Sequence, residues 1–364
     1  MRKITCLLII AAALVRLSEA GLAAQQIPSL KYLEASELTI VGKLMPTSNP
    51  YWRVDADAYP GFTKAETRQV HCGAGMSIAF KTDSRSIYLS IKRRPSYVGT
   101  NTGFFSSGGF DLYIKEKGKW RWAGNTCFPP GDDGPRRLIE LMDGSEHECL
   151  MYLPIHTELF SVQIGVDTDS SIEPLHNPFR HRIVFTGSSY THGSSSSRAG
   201  MSYVEQLGRM TLWDCVSLGC GGNGRLQPHY ADVLCDVQAD AFVFDQFSNP
   251  SPEMIAERLR PFVEKLRAAH PGTPLIFQRT IRRENRNFNT ASQKREAAKK
   301  AVSDSLMERI IAEIPDVYLI TPVIDDPTHE FTVDGTHPDN YGYYLWARSI
   351  VKPLKRILKK YGIK

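Results

Sequence analysis

The sequence contains no C-x-x-C pair, no H-E-x-x-H and no cluster of histidines, so the usual signatures of a zinc site or a redox dithiol are missing. Neither a metal nor an organic cofactor is expected. After residue 15 no run approaches the roughly 20 apolar residues that a bilayer-spanning helix needs, which argues against stable membrane insertion. Internal repeats are absent, and the single low-complexity tract, four serines at 194–197, reads as a loop. A large surplus of one charge is missing too: 44 Lys and Arg stand against 39 Asp and Glu, a net +5. Part of that surplus sits in the tail, at Lys352, Lys355, Arg356, Lys359, Lys360 and Lys364. Their helical spacing predicts the solvated face of a last amphipathic helix rather than a nucleic-acid patch.

What is present begins with an export leader. Arg2 and Lys3 precede an apolar run at 4–15, and small residues follow at Ser18, Ala20, Ala23 and Ala24. This is the three-part pattern of a secretory signal peptide, assigned to residues 1–24 with cleavage after Ala20 or Ala24. The mature protein is then expected in the periplasm or outside the cell. Cys6 belongs to the leader. Cys72, Cys127, Cys149, Cys215, Cys220 and Cys235 are expected as buried thiols or as one or two disulfides, with no pairing readable from spacing. About 340 residues remain, too many for one ordinary core and enough for two domains.

Residues 25–172 read as short β-strands separated by Gly, Pro, Ser and Asn. The segments at 76–83, 86–94, 110–117, 119–125 and 160–167 alternate or run apolar over strand lengths. The third and fourth form a hairpin through a Gly-Lys turn. No amphipathic helix stands out here, so a β-sandwich of jelly-roll type is expected. The stretch S-I-E-P-L-H-N-P-F-R (171–180), with two prolines, reads as the linker. From 173 to 364 the texture changes. Apolar runs at 181–186, 215–219, 241–246, 274–280 and 317–322 alternate with helical patterns. That alternation predicts an α/β fold: a parallel five-stranded sheet with helices on both faces, and functional residues beyond the carboxyl ends of its strands.

Those ends carry chemistry. The first strand runs into G-S-S-Y-T-H-G (187–193), which exposes the Ser189 hydroxyl at a helix N-terminus, where anions are favoured. A capping serine would look the same. The second ends in G-C-G-G-N-G (219–224), formally a dinucleotide loop. It lies on the second βα unit, however, and no acid closes the third strand as a ribose ligand would. A glycine that admits backbone N–H groups to an oxyanion is the better reading. The third ends in D-Q-F-S-N-P (245–250), whose Asn249 can donate its amide to the same place or merely turn the chain. The last block, D-G-T-H-P (334–338), sets Asp334 three residues before His337, close enough to hold the ring's tautomer and steady an imidazolium. Pro338 suits the first turn of the final helix. Nucleophile, donors, acid and base at successive strand ends point to acyl transfer. The G-x-S-x-G elbow of α/β-hydrolases is not met, because glycine returns only at Gly193.

The pattern resembles the SGNH, or GDSL-type, hydrolase superfamily. G-S-S-Y-T-H-G is similar to its nucleophile block, S-L-G-C-G-G-N-G to its glycine block, D-Q-F-S-N-P to its asparagine block and D-G-T-H-P to its D-x-x-H block. Two positions depart: Ser188 stands where Asp is usual, and Ser217 where Asn opens the glycine block. G-G-F-D-L-Y (108–113) resembles the G-x-D-L-Y motif of a β-domain that precedes a GDSL-like domain in one bacterial subfamily. The layout is also similar to carbohydrate esterases with a jelly roll before the SGNH domain. The resemblance implies a flavodoxin-like SGNH domain at 173–364, with Ser189 as nucleophile, His337 as base and Asp334 as acid. It also implies an oxyanion hole from the N–H groups of Ser189 and Gly222 and the Asn249 amide.

Ester hydrolysis follows from that likeness. Export, the β-domain and the lack of an apolar lid favour acetyl esters of a poly- or oligosaccharide. Trp120, Trp122, Tyr97 and Tyr51 are candidates for a sugar platform or for hairpin packing, and the basic stretch 279–289 for contact with an acidic glycan or for a solvated loop. A lipase or thioesterase acting on longer acyl chains is one alternative, and a non-catalytic glycan-binding module is another. Oligomeric state is not readable.

Overall fold

Side chains that alternate at period two must find two different environments, and the first half solves this with two stacked sheets. The computed structural model describes residues 29–96 and 98–364; the leader at 1–24, Cys6 and Tyr97 lie outside the described residues. The strands are β1 (Leu30–Glu34), β2 (Thr39–Val41), β3 (Ser77–Thr82), β4 (Ile87–Arg93), β5 (Gly109–Glu116), β6 (Lys119–Cys127), β7 (Arg136–Ile139), β8 (His147–Tyr152), β9 (Leu159–Asp167) and β10 (Ile172–Pro174). One sheet has the order β1-β9-β4-β7; the other is β10-β3-β8-β5-β6, with β2 beside β3, and all pairs are antiparallel. Ile78, Phe80, Leu89, Ile91, Phe110, Leu112, Met151 and Ile164 fill the space between them. The outer face of the second sheet is covered as well: Ala79, Tyr113, Leu150 and Tyr152 pack on Leu175, Phe179 and Ala199. Burial on both faces explains why Ile78, Ala79 and Phe80 on β3 and Leu150, Met151 and Tyr152 on β8 run apolar without alternating.

Three details differ from expectation. The β5–β6 turn is Lys117–Gly118, one residue earlier than a Gly-Lys turn, because Glu116 pairs with Lys119 and both turn residues are left-handed (φ 48° and 75°). Two short helices interrupt the strands, α1 (Lys64–Val70) and α2 (Phe104–Gly108). A capping box of Thr63 and Glu66 starts α1, a signal present in the sequence as T-x-x-E. The linker's opening residues are not free chain but β10, paired with β3.

The second half is the expected parallel sheet. Its strands β11 (Arg180–Gly187), β12 (Trp213–Gly219), β13 (Ala241–Asp245), β14 (Leu275–Gln278) and β15 (Val317–Ile320) run in the order β12-β11-β13-β14-β15. The helices are α3 (Ser189–His192), α4 (Tyr203–Thr211), α5 (Pro228–Cys235), α6 (Pro252–Ala269), α7 (Thr290–Glu313) and α8 (Asn340–Leu358). Val184, Val216, Phe242, Phe244 and Phe277 face the layer of α5, α6 and α7. Ile183, Phe185, Val243 and Ile276 face α4 and α8. Asp339 caps α8, so Pro338 lies before the cap rather than in the first turn, bridged to Thr332. The six basic tail residues are exposed while Leu354, Ile357 and Leu358 are buried, as an amphipathic helix requires. Among the described residues no helix is long and apolar enough to cross a membrane.

A fully buried arginine joins the halves. Arg53 donates to the carbonyls of Cys72 (3.0 Å), Gln69 (2.6 Å), Gly219 (2.9 Å) and Ser217 (3.3 Å). It thereby ties the end of β12 to the chain around α1.

Candidate active site

The carboxyl ends of β11 and β12 and the loop before α8 converge on one cavity. β11 stops at Gly187, and the single turn α3 brings Ser189 to the cavity wall, 8 % exposed. Ser188 holds that turn. Its N–H and Oγ both donate to Asp245 Oδ2 (3.2 and 2.5 Å), and its Oγ accepts from the Tyr190 N–H (3.2 Å). Asp245 does close the third strand, where no acid was expected. It is buried beneath the turn and also takes the Ser248 hydroxyl at 2.6 Å, so it offers nothing to a ribose. Gly219 lets β12 close on α3: a Cβ there would lie 2.0 Å from His192 N.

Ser189 Oγ lies 2.9 Å from His337 Nε2, and His337 Nδ1 lies 2.8 Å from Asp334 Oδ2. Asp334 Oδ1 accepts the backbone N–H groups of Thr336 (2.9 Å) and His337 (2.7 Å). With Nδ1–H pointing to the carboxylate, Nε2 is the acceptor facing the serine hydroxyl, the tautomer that a general base needs. Burial alone would raise the Asp334 carboxyl. The His337 N–H, the Asn101 amide and the His337 ring outweigh it and hold the group at about 2. The acid therefore stays ionised at neutral pH.

The stretch at 279–289 frames this loop. Asn285 donates its N–H to the Gly335 carbonyl (2.7 Å) and its amide to Thr336 Oγ1 (2.9 Å). Glu284 accepts the N–H groups of Phe331 (3.2 Å) and Thr332 (3.1 Å). Arg283 donates to the Tyr190 hydroxyl and the Ser248 carbonyl, both at 2.7 Å, and Arg279 pairs with Asp304 at 2.7 Å. These residues support the site from behind, and neither arginine faces the cavity.

Gly221 and Gly222 line the cavity with Ser189, and Gly222 is left-handed (φ +72°), a conformation that a side chain would strain. Asn249 is not among the lining residues. Its Nδ2 donates to the Asn223 carbonyl at 2.6 Å, which fixes the amide against the glycine loop.

The cavity holds about 470 Å³; Ser194 adds to this side, and the remaining walls come from the first half: Ala65, Arg68 and Gln69 on α1, Cys72 beyond it, Arg94 and Pro95 after β4, then Asn101, Thr102, His156 and Glu158. Sequence reasoning assigned none of these to the site. Asn101 Nδ2 donates to Asp334 Oδ2 (2.9 Å) and lies 3.1 Å from His337 Nδ1. The Ser195 hydroxyl holds the Asn101 carbonyl at 2.6 Å. The serine run is thus a seam rather than a bare loop. Tyr343 donates to the Ser194 carbonyl (2.7 Å), and the Ser197 N–H donates to Asn340 (2.9 Å). Burial, with Arg53 and His337 nearby, lowers His156 to about 4 and keeps it neutral. Of the described platform candidates none lines the cavity: Tyr51 is buried against Glu34, Trp120 lies near Phe179, and Trp122 donates to Asp111 (2.9 Å). The six cysteines are free thiols, and burial pushes Cys72 up to about 12. Among the described residues no group of three or more His, Cys, Asp or Glu could share a metal ion.

Two sequence profiles match. That of the GDSL-like lipase/acylhydrolase family covers residues 180–355, and that of the G-x-D-L-Y domain, the N-terminus of SGNH-hydrolase-type esterases, covers 30–172. A protein of Bacteroides ovatus ATCC 8483 assigned as a GDSL-like lipase is 35% identical, over 91% of this chain and 98% of that one, with a TM-score of 0.87. The chain belongs to the GDSL-like lipase/acylhydrolase family. It is accordingly an esterase. A salicylyl-acyltransferase from a tetracycline biosynthetic pathway shares the fold at 17% identity (TM-score 0.68, 92% and 98% of the two chains). So does an acetyl xylan esterase from the rumen bacterium Butyrivibrio proteoclasticus at 12% identity (TM-score 0.58, 91% and 99%). No curated protein matches the sequence significantly.

In this GDSL-like esterase the G-x-D-L-Y motif works as a clasp. Asp111 is fully buried and accepts from Arg198 Nη1 (2.9 Å to each oxygen), the Gly200 N–H (3.0 Å) and Trp122. Arg198 also donates to the Tyr113 hydroxyl at 3.2 Å. The motif therefore grips the segment that follows the nucleophile turn. Burial raises the Asp111 carboxyl against the pull of Arg198.

Proposed function

We propose that the chain is an exported serine esterase that removes acetyl groups from a poly- or oligosaccharide. One observation carries the catalytic part: the relay of Ser189, His337 and Asp334, with contacts of 2.9 and 2.8 Å. In this reading His337 Nε2 takes the Ser189 proton as Oγ attacks the ester carbonyl. The resulting oxyanion is met by the N–H groups of Ser189 and Gly222. Each such donor is worth about 3 kcal/mol in the transition state. Asn249, whose amide is tied to the Asn223 carbonyl outside the cavity lining, steadies the glycine loop that presents Gly222. His337 then protonates the leaving alcohol, and a water activated by the same ring releases the acid.

The acetyl preference rests on fold kinship with an acetyl xylan esterase. The cavity wall sets Arg68, Gln69, Arg94 and Glu158 beside Ala65, Cys72 and Pro95, so acyl length is the property to measure. The test compares 4-nitrophenyl esters of two, four and eight carbons. Activity that is highest on acetate and fades with length supports the reading, while a preference for the octanoyl ester moves the function to lipids or thioesters.

A further inference from the structure

The wall facing Ser189 is charged, and its charges are not balanced. Three fixed charges line the cavity besides the catalytic histidine: Arg68, Arg94 and Glu158. Glu158 is 5 % exposed and engaged twice, with Arg94 Nε (2.6 Å) and His71 Nδ1 (3.2 Å). The Arg94 backbone N–H also donates to the Glu158 carbonyl (2.9 Å). Arg94 is therefore held by its Nε and by its main chain, with its side chain 57 % exposed. Among the described residues no protein acceptor meets its two terminal nitrogens. A fork fixed in this way is preorganised for a carboxylate.

Arg68 is exposed and has no ion pair among the described residues, yet its backbone is rigidly placed. Gln69, its neighbour, donates to the Gly221 carbonyl at 3.0 Å, and Glu66 on the same helix faces Gln227 (3.3 Å) and His229 (3.2 Å) of the second half. The helix is thus pinned to the glycine loop beside Ser189. Arg68 and Arg94 line the same cavity as Ser189 and His337. An ester that seats its carbonyl at Ser189 has the two arginines on the wall around the rest of it.

We infer that Arg68 and Arg94 form an anion subsite, and that the natural ester carries a carboxylate close to the acyl group that is removed. The inference rests on the esterase reading of the same cavity and narrows its substrate class. The carboxylate belongs either to the alcohol, as in an acetylated uronic acid, or to the acyl group, as in a monoester of a dicarboxylic acid.

Two matched pairs separate these sources: mono-O-acetylated methyl galacturonoside against its galactoside, and 4-nitrophenyl hydrogen succinate against 4-nitrophenyl butyrate. In one pair the acidic ester should have a kcat/KM about tenfold above its neutral twin, an advantage that shrinks between 0.05 and 0.5 M salt. Arg68→Gln should erode the ratio and Arg68→Gln/Arg94→Gln should abolish it. Because Arg94→Gln leaves Glu158 without its partner, Arg94→Lys, which keeps the charge, is measured beside it and should retain part of the ratio. Calorimetric binding of galacturonate, galactose and succinate to the wild-type protein reads the subsite without turnover. Arginine-dependent binding of a carboxylate with no hydrolysis of any ester would keep the subsite and remove the esterase reading. Hydrolysis with equal rates within both pairs, and no carboxylate binding, would overturn the subsite and leave the esterase reading intact.

Discussion

The two halves reach the cavity by different means. The α/β half delivers its reacting groups from strand ends and adjoining loops, where sheet register and the bonds of Ser188 to Asp245 fix Ser189. The β half delivers walls and a clamp from a seven-residue helix and from loops, held by contacts across a seam: Arg53 on the end of β12, Asp111 on Arg198, and Ser195 on Asn101. One half therefore brings the proposed reacting groups together from short local motifs. The other carries shape and charge in residues that mean nothing until the chain is folded. The comparison assigns separable roles, and each can be removed on its own.

The largest effect should come from the reacting half. Ser189→Ala should lower kcat on 4-nitrophenyl acetate by about 10⁵–10⁶-fold, the cost of losing a triad nucleophile, with little change in thermal stability. A variant that keeps a hundredth of the wild-type rate would place the chemistry elsewhere. Next comes the seam. Arg198→Ala leaves Asp111 fully buried without its guanidinium, a loss of about 3 kcal/mol. A fall of roughly 4 °C in Tm is expected for a chain of this size. An unchanged melting temperature would mean that the G-x-D-L-Y motif does not hold the halves together.

The sequence made one of these roles legible and concealed the other, for physical reasons. Strands and parallel order could be read, and Ser189, His337 and Asp334 singled out as candidates, because period-two runs and strand-end motifs are local. Gly222 reaches the cavity as expected, whereas Asn249 is tied to Asn223 and absent from the lining. Asp245 was overlooked because an acid inside an apolar strand end declares itself only through the hydroxyls it accepts. Asn101 and Arg68 had no local signature. Asn101 meets Asp334 across 233 residues of chain, and Arg68 sits on a short helix that went unread among the strands. The capping box at Thr63 and Glu66 was the one signal that could have revealed that helix.

Asn101 sharpens the comparison because it is the point where the β half touches the relay. Asn101→Ala removes a donor from Asp334 Oδ2, and kcat/KM should drop on the order of tenfold through lost positioning of the histidine. Asn101→Asp adds a negative charge beside the imidazole and favours the protonated ring. The acid limb of the kcat/KM profile should then move to higher pH, a shift that simple loss of packing would not produce. Rates that match wild type, with an unmoved profile, would reduce Asn101 to a wall residue.

The smallest effect tests the seam without cutting it. Glu205 is buried on α4 with Oε1 against Gly75 of the first half, and burial pushes its carboxyl up to about 7 despite the pull of Arg209 and Arg53. The folded protein then holds this proton to about pH 7, while the unfolded chain releases it near the ordinary carboxyl value of 4.5. Its contribution to stability is fully present below 4.5 and lost as pH rises to about 7. His156 works in the opposite direction. Burial lowers it from 6.5 to about 4, so its contribution is present above 6.5 and lost as pH falls toward 4. The two slopes oppose each other between pH 4.5 and 6.5, where His192 and His71, lowered likewise by burial, add to the second. Glu205→Gln removes the first slope only. Its Tm should match wild type near pH 4.5, climb through 6.5, and stand about 3 °C higher at pH 8. A gap between the two proteins that stays constant with pH would show that Glu205 keeps one protonation state throughout, and that the seam is held by its arginines alone.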